Sequence, residues 1–450
     1  MAASTSVEEK RLKLMGWGRH PVVNGVERLS TDLERDSQGM PLSRGLGRSY
    51  GDASLPASSG VAVLGTRLAD RILRFDTTSG CLRAEAGLSL ATLSRVLTGS
   101  GFAAPVVPGT QYVTLGGMVA SDVHGKNHHG AGCFGAHVRS LRLRVADERV
   151  LEISPLHESE LFDATLGGMG LTGHILEVEL QLERVPSSWI WAEGERARDL
   201  DSLMDRLRTA SAQWPFAVAW VDCTARGESL GRGILHYGRW ARVDEAPASP
   251  PSARRRIAIP VPLPANVVVP WSIHIFNTLW FHALGGAGRR GISHPDAFFH
   301  PLDAVKHWNR LYGPRGMVQY QCVLPVDRDP TAPRRFFEVL TRMGGASPLS
   351  VVKDCGPEGR GLLSFPMPGI SIALDLPYRE RETQALVDAL NEIVCGASGR
   401  IYLSKDALTR PEHFAAMEPR LARFLAVRRQ WDPELRLRSA LSTRLLGDPT

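Results

Sequence analysis

The chain has 450 residues, of which 43% are hydrophobic and 22% charged, and a net charge of +6. These proportions fit a globular protein with two or three cores and exclude a disordered or fibrous chain. Lysine occurs only at positions 10, 13, 126, 306, 353 and 405, so the basic charge is nearly all arginine. The basic run Arg254-Arg255-Arg256 is too short for a nucleic-acid surface, and an anionic substrate or membrane surface is the reading the charge supports. Cys81, Cys133, Cys223, Cys322, Cys355 and Cys395 form no CxxC pair, which argues against a disulfide framework or a zinc site. The first 20 residues lack an apolar leader, and no run of about 18 apolar residues predicts a spanning helix.

In chain order, residues 1–40 are polar, with Trp17 as a packing anchor. Gly45 to Asp52 (GLGRSYGD) reads either as a surface turn or as a loop whose backbone N–H groups hold a pyrophosphate. It lacks the Walker lysine and is not a GxGxxG opening a helix. Short strands are predicted at 61–64 and 81–86, then a helix over 87–97 with Leu90, Leu93 and Leu97 on one face and Ser89 as N-cap. Residues 105–132 (PVVPGTQYVTLGGMVASDVHGKNHHGAG) combine turn dipeptides, a glycine pair and three histidines with almost no helical pattern. They make a poor core and a good wall for a bulky phosphate-bearing cofactor. Strands at 138–143 and 175–182 flank a helix at 158–166. This mixture indicates an α+β fold, not a doubly wound sheet.

The texture changes near Pro186. A helix is predicted at 199–210 and a strand at 216–222. Residues 246–270 are proline-rich and basic, and read as a mobile loop. The following WSIHIFNTLWFHALGG is either a buried helix or a face that touches lipid through Trp271 and Trp280. Strands follow at 317–325, 349–353 and 371–377, then a helix at 383–393. The C-terminal segment stops a helix at Trp431-Asp432-Pro433 and ends in a short docking helix.

GLGRSYGD, VPGT (107–110), TLGG (114–117) and DVHGKNHHGAG (122–132), in this order, resemble flavoproteins of the vanillyl-alcohol-oxidase/PCMH class. Within that class the chain is similar to the decaprenylphosphoryl-β-D-ribose 2′-oxidase family. The likeness continues through 159–173, 299–316, 319–325, 363–369 and 402–406, so it covers nearly the whole chain. It implies a two-domain α+β flavoprotein: an FAD-binding domain from residues 1–186 and 400–450, and a substrate domain, 187–399, whose antiparallel sheet roofs the flavin.

The resemblance places the FAD pyrophosphate on Ser43, Arg44, Gly45, Leu46, Gly47, Arg48, Ser49, Tyr50, Gly51, Asp52 and Ala53. Gly109, Thr114, Leu115, Gly116, Gly117, Ser121, Asp122, Val123 and His124 would line the diphosphate and isoalloxazine. Ile175 would meet the adenine side and Tyr402 would enter from the C-terminal segment. Some members tether FAD to a histidine in the first loop; Arg48 stands there in this chain, which implies non-covalent FAD. His128 and His129 read as structural hydrogen-bonding groups, and adjacent histidines between glycines do not make a metal site.

Oxidising a secondary alcohol on flavin moves a hydride from the carbinol carbon and requires a group to take the hydroxyl proton. Lys405, in YLSKD, is the first candidate, with Gln321, His124 and Tyr50 beside it. Gln319 and Gln321 share one face of a strand and suit a sugar. Trp220 and Lys353 are further substrate candidates, and Lys353 with nearby arginines would meet a phosphate. Phe299 replaces the family's tyrosine, and Ala373 stands where mycobacterial members carry a cysteine. No thiol adduct can therefore form at position 373, and mass spectrometry after nitroaromatic treatment is expected to find that peptide unmodified.

The resemblance implies FAD-dependent oxidation of the 2′-hydroxyl of a polyprenylphosphoryl ribose, the first half of an epimerisation for cell-wall arabinan. The partner would be an NAD(P)H-dependent short-chain reductase, with peripheral membrane contact on the cytoplasmic or periplasmic side. Two alternatives stand beside it: an FAD oxidase of another sugar, alditol or aldonolactone, and a flavin-free scaffold for the reductase.

Overall fold

A computed structural model of the chain describes residues 8–264 and 267–450. The expectations for residues 1–7, and for Ala265 and Asn266 in the proline-rich stretch, lie outside the described residues. Three sheets carry the fold. The first has four strands, with Glu8–Met15 antiparallel to Val22–Leu29, and Ala62–Gly65 parallel to both Val22–Leu29 and Ser43–Arg44. The second is antiparallel, in the order Ile72–Asp76, Cys81–Glu85, His174–Gln181, Val138–Arg144, Val150–Ile153.

The helix expected over 87–97 spans Leu90–Leu97. Ser89 accepts the Thr92 N–H, and Leu90, Leu93 and Leu97 are buried. Each such leucine contributes about 1.5–3 kcal/mol on burial. In 105–132 the structure departs from the sequence reading. Leu115–Ala120 is a short helix capped by Thr114, and His128–Ala131 forms a helical turn. Small residues hide the helical periodicity here, while the Thr114 side chain satisfies the Gly117 N–H and Leu115, Met118 and Val119 enter the core.

The third sheet is antiparallel with eight strands, in the order Arg290–Ser293, Ile190–Ala197, Gly233–Trp240, Phe216–Val221, Ser350–Cys355, Gly369–Pro377, Met317–Leu324, Arg400–Ile401. Its period of two separates its faces. Val318, Tyr320, Cys322 and Leu324, with Ile370, Ile372, Leu374 and Leu376, pack in one core with side chains from the helices Leu200–Gln213, Ala332–Arg342 and Arg381–Gly396. The alternate residues Gln319, Gln321, Ser371, Ala373 and Asp375 point the other way. Register aligns Gln319 with Asp375, Gln321 with Ala373, and Lys353 with Ser371.

Two further expectations change. The 246–270 stretch is pinned at its middle: Ile257–Ala258 pairs with Val305–Lys306, and Arg310 donates to the Ile259 carbonyl at 2.8 Å. WSIHIFNTLWFHALGG forms the helix Pro270–Leu279 and a π-helical turn, Trp280–Leu284. Ile273 and Asn277 are buried, whereas Trp271 is 67% and Leu279 54% exposed, so the helix is not buried.

The C-terminal segment returns to the N-terminal part. Tyr50 N–H donates to Ser404 O at 2.8 Å, and Ala440 N–H to Leu55 O at 2.9 Å. Arg444 grips Asp52 at 2.7 and 2.9 Å. A Cβ on Gly51 would overlap the Asp406 carbonyl oxygen. Gly51→Ala is therefore expected to push the 402–406 turn off the loop, lowering the melting temperature and the flavin absorbance of the purified protein together. Wild-type values for both would show that the backbone contact is dispensable.

Candidate active site

A cavity of about 850 Å³ lies between the second face of the eight-stranded sheet and the loops at 43–54 and 107–125. Its floor is glycine-rich because a backbone must come close to whatever binds there. Gly45, Gly47, Gly109, Gly116, Gly117, Gly170 and Gly173 all line it. A Cβ added at Gly109 or Gly170 would meet nothing within 4 Å. Among the described residues, the N–H groups of Gly45, Leu46, Gly47, Arg48 and Ser49 make no hydrogen bond to the chain itself. Five consecutive free amides form a ready anion nest, the donor set a pyrophosphate needs. Arg48 is held over the Trp17 ring at 4.0 Å, and its buried Nε has no partner. Ser43 donates to His174 Nδ1 at 2.7 Å, and His174 donates through Nε2 to the Met40 carbonyl, which fixes the start of the loop. These features fit FAD.

Every residue singled out as catalytic or substrate-binding lines this cavity: Lys405, Gln321, His124, Tyr50, Gln319, Lys353, Trp220, Phe299 and Ala373. Of those assigned to the cofactor, five point elsewhere. Arg44 donates to the Met15 and Ser54 carbonyls behind the loop. Gly51 packs on Asp406, and Asp52 pairs with Arg444. Leu115 is fully buried in the core. Asp122 accepts from Gly135 N–H at 2.7 Å and from the Ser364 hydroxyl, so it ties loops together. His128 and His129 are also structural: His128 Nδ1 accepts from Gly356 N–H at 3.1 Å, and His129 Nε2 meets Trp214 O at 2.9 Å.

At the sheet end of the cavity, Lys405 Nζ sits 4.0 Å above the Tyr50 ring. Burial lowers the pKa of Lys405 and the charge of Asp375 opposes that shift. Burial raises Asp375, against a hydrogen bond from Gln319 and the charge of Lys405. The two attract without a direct ion pair, and Asp375 Oδ2 is buried with no partner. Burial likewise raises Tyr50, with the Asp375 charge adding to it.

His124 is held well below its usual pKa, first by burial and then by the Lys353 charge. Lys353 Nζ lies 3.1 Å from its Nδ1, and the Gln321 side-chain amide 3.0 Å from its Nε2. A neutral imidazole has one acceptor, so both neighbours cannot donate to it. Lys353 therefore donates to Nδ1 as the ammonium only where the Gln321 amide is turned with its oxygen toward Nε2–H. As placed, the Gln321 side-chain nitrogen points there and donates to the Ser371 hydroxyl at 3.0 Å.

Sequence reasoning missed one cavity group, Lys126, and one carboxylate buried behind the cavity wall, Asp375. Asp375 stands beside the register of Gln319 and Ala373; it is the lone carboxylate of an otherwise apolar strand, which was its signal. Lys126 lines the cavity next to Phe299. Its signal was rarity, since three of the chain's lysines, Lys126, Lys353 and Lys405, meet in one cavity. Among the described residues, no helix is long and apolar enough to cross a membrane.

Residues 36–154 match the FAD binding domain family. Over 457 aligned residues the chain is 34% identical to decaprenylphosphoryl-β-D-ribose oxidase of Mycolicibacterium smegmatis, covering 96% of this chain and 97% of that protein. An uncharacterised protein of Streptomyces coelicolor is 34% identical over 370 residues, 80% of this chain and all of that one. L-gulonolactone oxidase of Bos taurus is 34% identical over 114 residues, only 25% of each chain. The full-length match and the FAD-fitting cavity place the chain together: it belongs to the family of FAD-dependent oxidases that includes decaprenylphosphoryl-β-D-ribose oxidase.

Proposed function

We propose that the protein oxidises the 2′-hydroxyl of decaprenylphosphoryl-β-D-ribose to the ketone, as the first half of an epimerisation to the arabinose form. The observation that carries this is the polar end of the cavity: a buried lysine beside two glutamine side chains and a tyrosine, with the Asp375 carboxylate buried behind Gln319. Bound FAD supplies the two-electron acceptor for the carbinol carbon. Lys405 takes the hydroxyl proton, since burial destabilises its charge and keeps a basic site available, and the Asp375 carboxylate behind Gln319 tunes it. Gln319, Gln321 and Tyr50 orient the sugar, and neutral His124 fixes the Gln321 amide.

Residues 1–186 with 400–450 form the FAD-binding part, and 187–399 the substrate part. The docking of the C-terminal turn beside Tyr50 supports this division. Arg48 in the place of a tethering histidine supports non-covalent FAD. The partner is an NAD(P)H-dependent short-chain reductase that returns the ketone to the other alcohol, supplying cell-wall arabinan. An apolar track supports the lipid part of the reading. Trp280 lines the cavity and stacks on Phe276 at 5.7 Å, and exposed Trp271, Ile275 and Leu279 continue outward on the same helix. That face suits peripheral contact with a membrane. The match to L-gulonolactone oxidase covers only a quarter of each chain, so it does not carry a lactone substrate to this protein.

The test is turnover of a polyprenylphosphoryl ribose with a dye acceptor, set beside soluble alditols and aldonolactones. The lipid-linked pentose is expected to be preferred in kcat/KM by several orders of magnitude. Equal or better turnover of free polyols would overturn the substrate assignment, and a colourless protein after FAD reconstitution would sink the enzyme reading itself.

A further inference from the structure

We propose that Lys126 is the residue that binds the substrate's phosphate; this rests on the polyprenylphosphoryl-pentose reading above. Lys126 is positioned from both sides. Its carbonyl takes the Ala217 N–H at 2.9 Å, which fixes it to the strand Phe216–Val221. Its ammonium donates to the Phe299 carbonyl at 3.0 Å. An ammonium has three donors, and that carbonyl uses one. Among the described residues no carboxylate pairs with it. What remains accessible of the side chain faces the cavity, with the Phe298 and Phe299 rings 5.5 and 5.9 Å away.

The titratable and charged groups around Lys126 supply no negative charge. Burial holds His236 at about 4 and His300 at about 3, with the Lys126 charge adding to both shifts. Lys353 is the other charged neighbour, and it repels. Lys126 is itself pushed down to about 7 by burial. A desolvated cation without a counter-ion is costly, and an anion placed against it in an apolar surround recovers that cost.

The order of the three cavity lysines fits the substrate. The sheet sets that order: Lys126 is hydrogen-bonded to Phe216–Val221, Lys353 stands on the adjacent strand Ser350–Cys355, and Lys405 follows Arg400–Ile401 at the far edge. They run in the order Lys405, Lys353, Lys126 from the proton-accepting end outward. In a ribosyl phosphodiester the phosphate hangs on the carbon next to the reacting one. With the 2′-hydroxyl at Lys405, the phosphate falls on the outward side. Lys353 is committed to His124 Nδ1, which leaves Lys126 as the next lysine outward to meet the phosphate. Trp220, Trp280 and Phe299 line the same cavity and offer the lipid an apolar surface.

The test compares wild type, Lys126→Met and Lys126→Arg on farnesylphosphoryl-β-D-ribose with a dye acceptor. Lys126→Met is expected to raise KM roughly 10- to 1000-fold with kcat within a few-fold, and to lose competitive inhibition by farnesyl phosphate. Lys126→Arg is expected to restore KM and to remove the alkaline fall of kcat/KM above about pH 7 that loss of the lysine charge imposes on wild type. Should Lys126→Met fail to hold FAD, the pH profile of Lys126→Arg still decides. Wild-type turnover with KM unmoved by the methionine, or an alkaline limb unchanged by arginine, overturns the inference alone. No wild-type turnover of this substrate overturns the substrate reading and the inference with it.

Discussion

Lys405→Met is expected to keep FAD and lose turnover by about 100- to 10,000-fold, the range for removing a positioned proton acceptor. FAD should stay because the Lys405 side chain leans on the Tyr50 ring, and the loop itself is held by backbone contacts such as Tyr50 to Ser404. Turnover should fall because the carbinol cannot release its electrons while its oxygen keeps a proton. Asp375 is the other half of the device. Burial raises its pKa while lowering that of Lys405, so the two titrate as a pair and not independently. Asp375→Asn should therefore also be impaired, and the double variant should be scarcely worse than the worse single one, as groups acting together behave. The sign of the pH dependence follows. The working form is the one that has given up a proton, so kcat/KM must rise with pH through the pair's titration and fall below it. Lys405→Arg supplies charge without basicity, because a guanidinium does not deprotonate. A fully active arginine variant would show that Lys405 supplies only a positive charge; an inactive one agrees with proton acceptance.

How much of this was legible in the sequence depends on periodicity and on contact distance. The strand Met317–Leu324 alternates, so the shared face of Gln319 and Gln321 was readable from spacing alone. Ser89 with Leu90, Leu93 and Leu97 announced a capped amphipathic helix. The helix Leu115–Ala120 did not, because glycine and alanine carry no hydrophobic stripe and only the Thr114 cap betrays it. Nor could spacing tell that Asp52 and Asp122 turn away from the cavity, since their partners Arg444 and Ser364 lie hundreds of residues along the chain. Asp375 was hidden for a related reason. Its strand reads as an ordinary buried strand, and only register with Gln319 shows that its carboxylate lies on the cavity side of the sheet, behind Gln319. The helix Pro270–Leu279 was ambiguous because an apolar run has the same composition whether its outer face meets protein or lipid.

Arg444→Met is expected to destabilise the protein by roughly 3–5 kcal/mol, the cost of stripping the partner from a buried charge. The guanidinium donates to both oxygens of Asp52 and to the Thr409 carbonyl, and its Nη2 lies 2.9 Å from Asp406 Oδ2. The Asp406 contact is an ion pair without hydrogen-bond alignment, since that oxygen has no donor. One side chain thus neutralises two buried carboxylates, one on the cofactor loop and one beside Lys405. Burial raises the Asp52 pKa even with Arg444 present, and the Asp406 charge adds to that rise. Without Arg444 both carboxylates must be taken up with a proton or left charged together. The folded variant then binds more protons than the unfolded chain, so its deficit relative to wild type should shrink as pH falls and widen as pH rises. Denaturant unfolding at pH 5.5 and pH 8, read by flavin and tryptophan fluorescence, measures it. Asp52→Asn in the same background should recover part of the loss, because it removes one of the two stranded charges. A deficit that does not change with pH would mean that Arg444 acts through packing, and the loop and the C-terminal segment would then be joined by shape and not by charge.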